Sequence, residues 1–123
     1  MRIQTPTQLR PCIFISFVLL AGCALGPGKS HVTVRNAAKQ TITSITVEAD
    51  GNTAPFSNVL PGESREATFR IWGDSSYIVH VTFASGKELS AKEGYLTNGT
   101  ETEDVITVTS SSIEIAVHYP AVP

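Results

Sequence analysis

From Ser30 onward, hydrophobic residues return at every second position, in runs too short to be anything but strands. Val32 and Val34 alternate with Thr33 and Arg35, and Ile45, Val47 and Ala49 with Thr46 and Glu48. Ala67, Phe69 and Ile71 alternate with Thr68 and Arg70, and Tyr77, Val79, Val81 and Phe83 with Ile78, His80 and Thr82. Ile113, Ile115, Val117 and Tyr119 repeat the pattern, and Val105–Val108 gives a fainter version of it. No stretch sustains the 3.6-residue period of a helix, and the β-branched and aromatic enrichment suits a pleated, half-buried surface.

Turn signals separate these runs: Asn36–Gln40, Asp50-Gly51-Asn52, Pro61-Gly62-Glu63, Gly73-Asp74-Ser75, Ser85-Gly86, Asn98-Gly99 and Ser110–Ser112. Their spacing, mostly about 8 to 12 residues, is that of a sandwich or barrel. The expected fold is a single all-β, immunoglobulin-like antiparallel sandwich of seven or eight strands, with a small β-barrel as second choice. The cysteine pair that joins strands B and F of antibody domains is missing, so only the general architecture is implied.

Register follows from keeping apolar faces together. If Ala67–Trp72 and Tyr77–Phe83 form a hairpin, a three-residue loop, Asp74-Ser75-Ser76, pairs Ile71 with Val79, Phe69 with Val81 and Ala67 with Phe83. A one-residue slip would turn every core side chain outward. The same reasoning across Ser85-Gly86-Lys87 sets Phe83 opposite Leu89 and Val81 opposite Ala91.

The first thirty residues carry a different message. Arg2 and Arg10 are unaccompanied by any acid before Glu48, and Cys12–Leu20 is a short uncharged apolar stretch. A cationic start, an apolar core of about 7 to 15 residues and small residues after it make a secretory signal. The stretch falls short of the roughly 20 residues that span a bilayer, and Gly26-Pro27-Gly28 follows it.

Leu20-Ala21-Gly22-Cys23 resembles the lipobox of bacterial lipoproteins at all four positions. The resemblance implies that residues 1–22 are a signal peptide cut by signal peptidase II and that Cys23 carries a diacylglyceryl thioether and usually an N-acyl chain. Ala24 occupies the position where Asp commonly retains such proteins in the inner membrane, so the resemblance favours the outer membrane, on its periplasmic face. Residues 23–30 then form the lipidated cysteine and a tether, 31–119 the sandwich and 120–123 a tail. The tether Ala24–Ser30 reaches at most about 25 Å.

Lipidation and cleavage account for both cysteines, because Cys12 leaves with the signal. Cleavage removes 22 of 123 residues and two of nine cations, leaving 101 residues with seven cations against eleven acids, a net charge of −4. That balance argues against nucleic acid or anionic lipid as an electrostatic partner. The 41% hydrophobic content excludes a disordered chain.

The inferred register gathers Arg70, Trp72, Ile78 and His80 on the face away from the core. An exposed Trp beside Arg and Ile has the composition of a contact hot spot, which makes these four the candidate protein-contact patch.

Three histidines, His31, His80 and His118, show no ligand spacing, and strand pairing alone is not expected to bring them together, so no metal site or cofactor is expected. Asp50-Gly51-Asn52 lacks the remaining oxygen ligands of a calcium loop and reads as a turn. Asn98-Gly99-Thr100 is a turn before it is a glycosylation site, and Thr100–Asp104 is a short acidic run expected in a solvated loop.

Nucleophile elbows, zinc-protease helices and phosphate-binding glycine loops do not occur in the sequence. The expected function is therefore non-enzymatic: a membrane-anchored binding or accessory module contacting another envelope protein or a cell-wall component. A carrier of a small hydrophobic or glycan ligand is the alternative, and an envelope hydrolase the last.

Overall fold

In the computed structural model, which describes residues 26–120, the alternating runs become eight strands with no helix among them. They are β1 (Gly28–Asn36), β2 (Ile42–Ala49), β3 (Asn52–Val59), β4 (Ser64–Ile71), β5 (Ser75–Phe83), β6 (Glu88–Leu96), β7 (Glu101–Val108) and β8 (Ile113–His118). The expected signal peptide, the lipobox with Cys23 and residues 121–123 of the tail lie outside the described residues. β1 begins at Gly28, three residues before the expected start of the domain, and takes in the end of the expected tether.

Two four-stranded sheets pack face to face, one ordered β4-β1-β7-β8 and the other β3-β2-β5-β6. The sandwich is thus the expected architecture, and it is not a closed barrel. All pairs are antiparallel except β1 with β7, which run parallel. The strand order also departs from an immunoglobulin constant domain, where the first two strands are neighbours in one sheet. Here β1 and β2 lie in opposite sheets.

The seven turn signals all fall at junctions between strands, with Asn36, Asn52 and Ser75 themselves the end residues of β1, β3 and β5. At the β2–β3 turn, Asp50 and Gly51 both take positive φ, 50° and 79°. This is the two-residue loop whose twist matches the flanking strands, and it sets Ala49 opposite Asn52.

The β4–β5 hairpin does not form. β4 pairs with β1, and β5 pairs with β2 and β6. The three residues Trp72–Asp74 cross from one sheet to the other rather than turning within one. The expected side chains nevertheless lie inside: Phe69, Ile71, Val79 and Val81 are all buried. Where the two strands do meet, it is across the sandwich instead of side by side: the Phe69 and Tyr77 rings lie 6.2 Å apart, edge to face at 67°.

In the β5–β6 hairpin Val81 faces Leu89 and Val79 faces Ala91, two residues from the expected register. The loop is Ala84-Ser85-Gly86, closed by the Phe83 N–H donating to the Lys87 carbonyl at 2.8 Å. An even slip keeps every side chain on its own face, so the core is unchanged.

Tyr77, Phe83, Ile42, Ile45, Ile71 and Leu96 are the bulkiest fully buried residues. Gly94, at φ 90°, lets β6 bulge over them: a Cβ there would stand 2.9 Å from a Val117 methyl. β6 lies over β8 along one edge of the sandwich and β3 over β4 along the other.

Register also sorts the connections by end. Gly28 lies opposite Ile71, Lys29 beside Glu101 and Glu103 opposite His118. The chain therefore enters at the end that carries the β2–β3, β4–β5 and β6–β7 connections and the exit after His118. Hydrogen bonds tie this entry end together: the Trp72 N–H to Asp50 Oδ2 at 2.7 Å, the Thr97 hydroxyl to Asp74 Oδ1 at 3.1 Å and the Lys29 N–H to the Thr100 carbonyl at 2.8 Å.

Candidate functional site

The sheet partition divides the expected contact patch. Arg70 and Trp72 belong to the β4 side of one sheet, whereas Ile78 and His80 lie on the outer face of the other. Outer faces of a sandwich point away from each other, so the four residues do not form one surface. His80 Nδ1 lies 2.9 Å from the Ser90 hydroxyl, and Ile78 sits between Glu48 and Lys92. Arg70, Trp72 and His80 are exposed as expected, Trp72 at 60%, whereas Ile78 is half-buried.

Strand pairing brings together histidines that no local spacing links. His31 on β1 lies beside Glu103 on β7, and Glu103 lies opposite His118 on β8, so two of the three share one row. Glu101, two residues before Glu103, points to the same face. His31 Nε2 stands 2.9 Å from Glu101 Oε2, its Nδ1 stands 3.1 Å from the Thr68 hydroxyl, and His118 Nδ1 stands 3.2 Å from the Glu103 carbonyl.

Ligand atoms of His31, Glu101 and Glu103 lie within 4.8 Å of one another, so these three could hold a divalent cation. As the side chains stand, the imidazole is already held at both nitrogens, and an ion would have to displace the Glu101 contact. The concavity beside them, about 120 Å³, is lined by His31, Thr33, Glu66, Thr68 and Glu103. It is polar and well below the roughly 300 Å³ at which small-molecule pockets begin. A carrier would need an apolar, aromatic-lined pocket, and this is not one.

The His31–Glu101 contact is half-exposed on one side and exposed on the other. Pairs of that kind contribute about 0–1 kcal/mol. His31→Asn should therefore shift the urea midpoint by no more than that allows; a larger loss would mean that the row bears on the core.

The acidic run Thr100–Asp104, expected in a solvated loop, is instead the start of β7 in all but Thr100. Glu101 and Glu103 face out, while Thr102 and Asp104 face in and are 2% exposed. The inward side of this strand is polar at its first two positions, so hydrophobic alternation did not reveal it. Burial is compensated by partners from three other strands or their ends. Asp104 Oδ2 accepts from the Tyr77 hydroxyl at 2.5 Å and from the Thr102 hydroxyl at 2.8 Å, and Oδ1 accepts from the His118 N–H at 3.1 Å. Ser30 Oγ lies 3.0 Å from Thr102 Oγ1.

Tyr77 comes from the opposite sheet, so this cluster links the two sheets through the core. Burial first, then the hydrogen bond to Asp104 and its negative charge, push the Tyr77 phenol far above its ordinary value. The cluster's side chains are all buried and turned to one another, which makes it a structural tie.

Aromatic side chains mark the entry end. Trp72 follows β4, Tyr95 stands near the end of β6 at 58% exposure and Tyr119 follows β8 at 45%. The Tyr119 hydroxyl donates to the Tyr95 carbonyl at 2.6 Å, which fixes the two together. Asn98-Gly99 forms the β6–β7 turn at this end, as expected.

No protein-family model and no curated protein matches the sequence. Solved structures do. The NMR structure of a protein from Eubacterium rectale superposes with a TM-score of 0.54 at 15% identity, covering 77% of this chain and 93% of that one. The likeness is one of fold. A crystal structure from Bacteroides uniformis, provisionally described as that of a cell adhesion protein, gives a TM-score of 0.48 at 9% identity. The match spans 77% of this chain and 50% of that one.

Proposed function

We propose that the chain is a bacterial envelope lipoprotein whose β-sandwich is a non-enzymatic binding or accessory module, held by lipid on Cys23 at the periplasmic face of the outer membrane. The observation that carries this reading is Leu20-Ala21-Gly22-Cys23, placed directly after a short cationic and apolar leader. The thiol is the nucleophile that takes the diacylglyceryl group, and small residues before it let the backbone enter a peptidase cleft. More than one acyl chain is needed for stable anchoring, and a lipoprotein carries two or three.

The described domain suits that role. It contains no cysteine and so holds together without a disulfide in an oxidising compartment. Its outer faces are polar strand surfaces rather than a catalytic cleft, and its partner is taken to be another envelope protein or a cell-wall component.

Cys23→Ala tests the reading. The variant should appear in the soluble envelope fraction, and mass spectrometry should find no acyl-modified N-terminal peptide beginning at residue 23. A variant that stays on membranes with unchanged mass would overturn the anchor.

A further inference from the structure

We infer that the entry end of the sandwich, with Trp72, Tyr95 and Tyr119, rests on the zwitterionic phospholipid surface that holds the acyl chains of Cys23. This deepens the lipoprotein reading and rests on it.

Placement comes first. β1 starts at Gly28, five residues after Cys23. Five residues span at most about 18 Å, while strands of eight residues are about 27 Å long. A lipid on Cys23 therefore holds the entry end near the headgroups and leaves the far end in solution.

Exposure follows the same polarity. Five large hydrophobic residues are exposed in the described chain, and the three aromatic ones, Trp72, Tyr95 and Tyr119, all sit at or beside the entry end. The other two, Leu60 in the β3–β4 turn and Val105 on an outer face, are aliphatic and lie elsewhere. Trp and Tyr concentrate at membrane interfaces, where an apolar ring and a polar tip are both satisfied. The Trp72 backbone is already held by Asp50, and the Tyr119 hydroxyl by the Tyr95 carbonyl, so the segments that carry Trp72 and Tyr119 are in place before docking.

Charge chooses the lipid. Asp50 and Asp74 lie at this end, each accepting a hydrogen bond, with Lys29 and Arg70 close behind them. The mature chain carries −4 overall. Neither feature attracts a polyanionic surface; aromatic contact with neutral-headed phospholipid is what remains favourable.

Trp72 is the only tryptophan in the chain, so its emission reports this one place. The native lipidated protein would be reconstituted in phosphatidylcholine–phosphatidylethanolamine vesicles with and without brominated acyl chains. Bromine quenches only at near contact, so a domain merely leashed above the surface would not respond. The expected result is a blue-shifted Trp72 emission that loses intensity in the brominated vesicles. If mass spectrometry shows the lipid on Cys23 but the emission is the same in both vesicles, the docking is overturned and the anchor stands. A blue shift without bromine quenching counts against it equally, because it reports contact with protein rather than bilayer. A chain found without lipid on Cys23 overturns the anchor, and the docking with it.

Discussion

Asp104→Ala should lower the melting temperature by roughly 10–25 °C, the equivalent of about 2–4 kcal/mol in a domain of this size. The carboxylate can only accept, so Tyr77 and Thr102 both donate to it, and the His118 N–H does the same at the other oxygen. Alanine takes away both acceptor oxygens, and with them three hydrogen bonds, at once. Thr102 keeps Ser30 within 3.0 Å, and the His118 backbone is near enough to the surface to find water, but the Tyr77 hydroxyl is left in a fully buried position. A buried polar group without a partner costs about 1–3 kcal/mol, and hydrogen bonds to a charged group are worth more than neutral ones. Replacing both ends should do less harm than replacing one. In Tyr77→Phe/Asp104→Val the orphaned hydroxyl is gone, and exchange of both partners for apolar groups can be close to neutral. Urea denaturation of the two single variants and the double variant measures the coupling. A melting temperature within about 4 °C of the parent in Asp104→Ala would mean that the cluster is not a tie between the sheets.

Which side chains would be buried was legible because a strand has a period of two. Val32, Val47, Phe69 and Val79 needed nothing beyond that alternation, and Asp50-Gly51 and Asn98-Gly99 announced their turns chemically. Which strands would be neighbours was not legible in the same way. Alternation says that Ile71 and Val79 share a core, but the same face-matching is met whether two strands lie side by side or across a sandwich. Trp72-Gly73-Asp74 is short enough to be a hairpin loop and instead crosses between sheets. Once β4 and β5 are separated, the inferred patch of Arg70, Trp72, Ile78 and His80 comes apart, although Arg70, Trp72 and His80 each stay exposed.

The candidate sites depend on pairings distant in sequence, and for that reason they were hidden. His31 and Glu103 meet because β1 and β7 run parallel. No local spacing encodes that meeting. The buried cluster was hidden by its chemistry as well: Glu101, Thr102, Glu103 and Asp104 are polar on both faces, so the strand has no hydrophobic period to detect. A sharper signal was present in the alternation of acid with Thr and Asp beside a strand-forming run, since a solvated loop has no reason to alternate. β3 was missed on similar grounds, with Pro55 in its middle and only Ala54 and Phe56 packing inward before Val59.

Tyr77→Phe should lose its stability disadvantage as the solution is made alkaline. Burial and the Asp104 carboxylate raise the folded-state phenol well above the value of 10.0 that it has in the unfolded chain. Below about pH 10 both states hold the proton, and the hydroxyl contributes its full hydrogen-bond stabilisation. Above that pH the unfolded chain releases the proton while the folded chain retains it. The unfolded state then binds fewer protons, and the parent's stability falls by about 1.4 kcal/mol for each further unit. Phenylalanine has no proton to release, and every other ionising group is common to the two chains and cancels in the difference. If the hydroxyl is worth about 1–3 kcal/mol at neutral pH, the gap should close within roughly one to two units above pH 10 and then reverse. Urea denaturation of both chains from about pH 8 to about pH 11.5 measures that gap directly. Two parallel curves across the range would mean that the phenol titrates alike in the folded and unfolded states. The short Tyr77–Asp104 contact would then not be a desolvated link between the sheets.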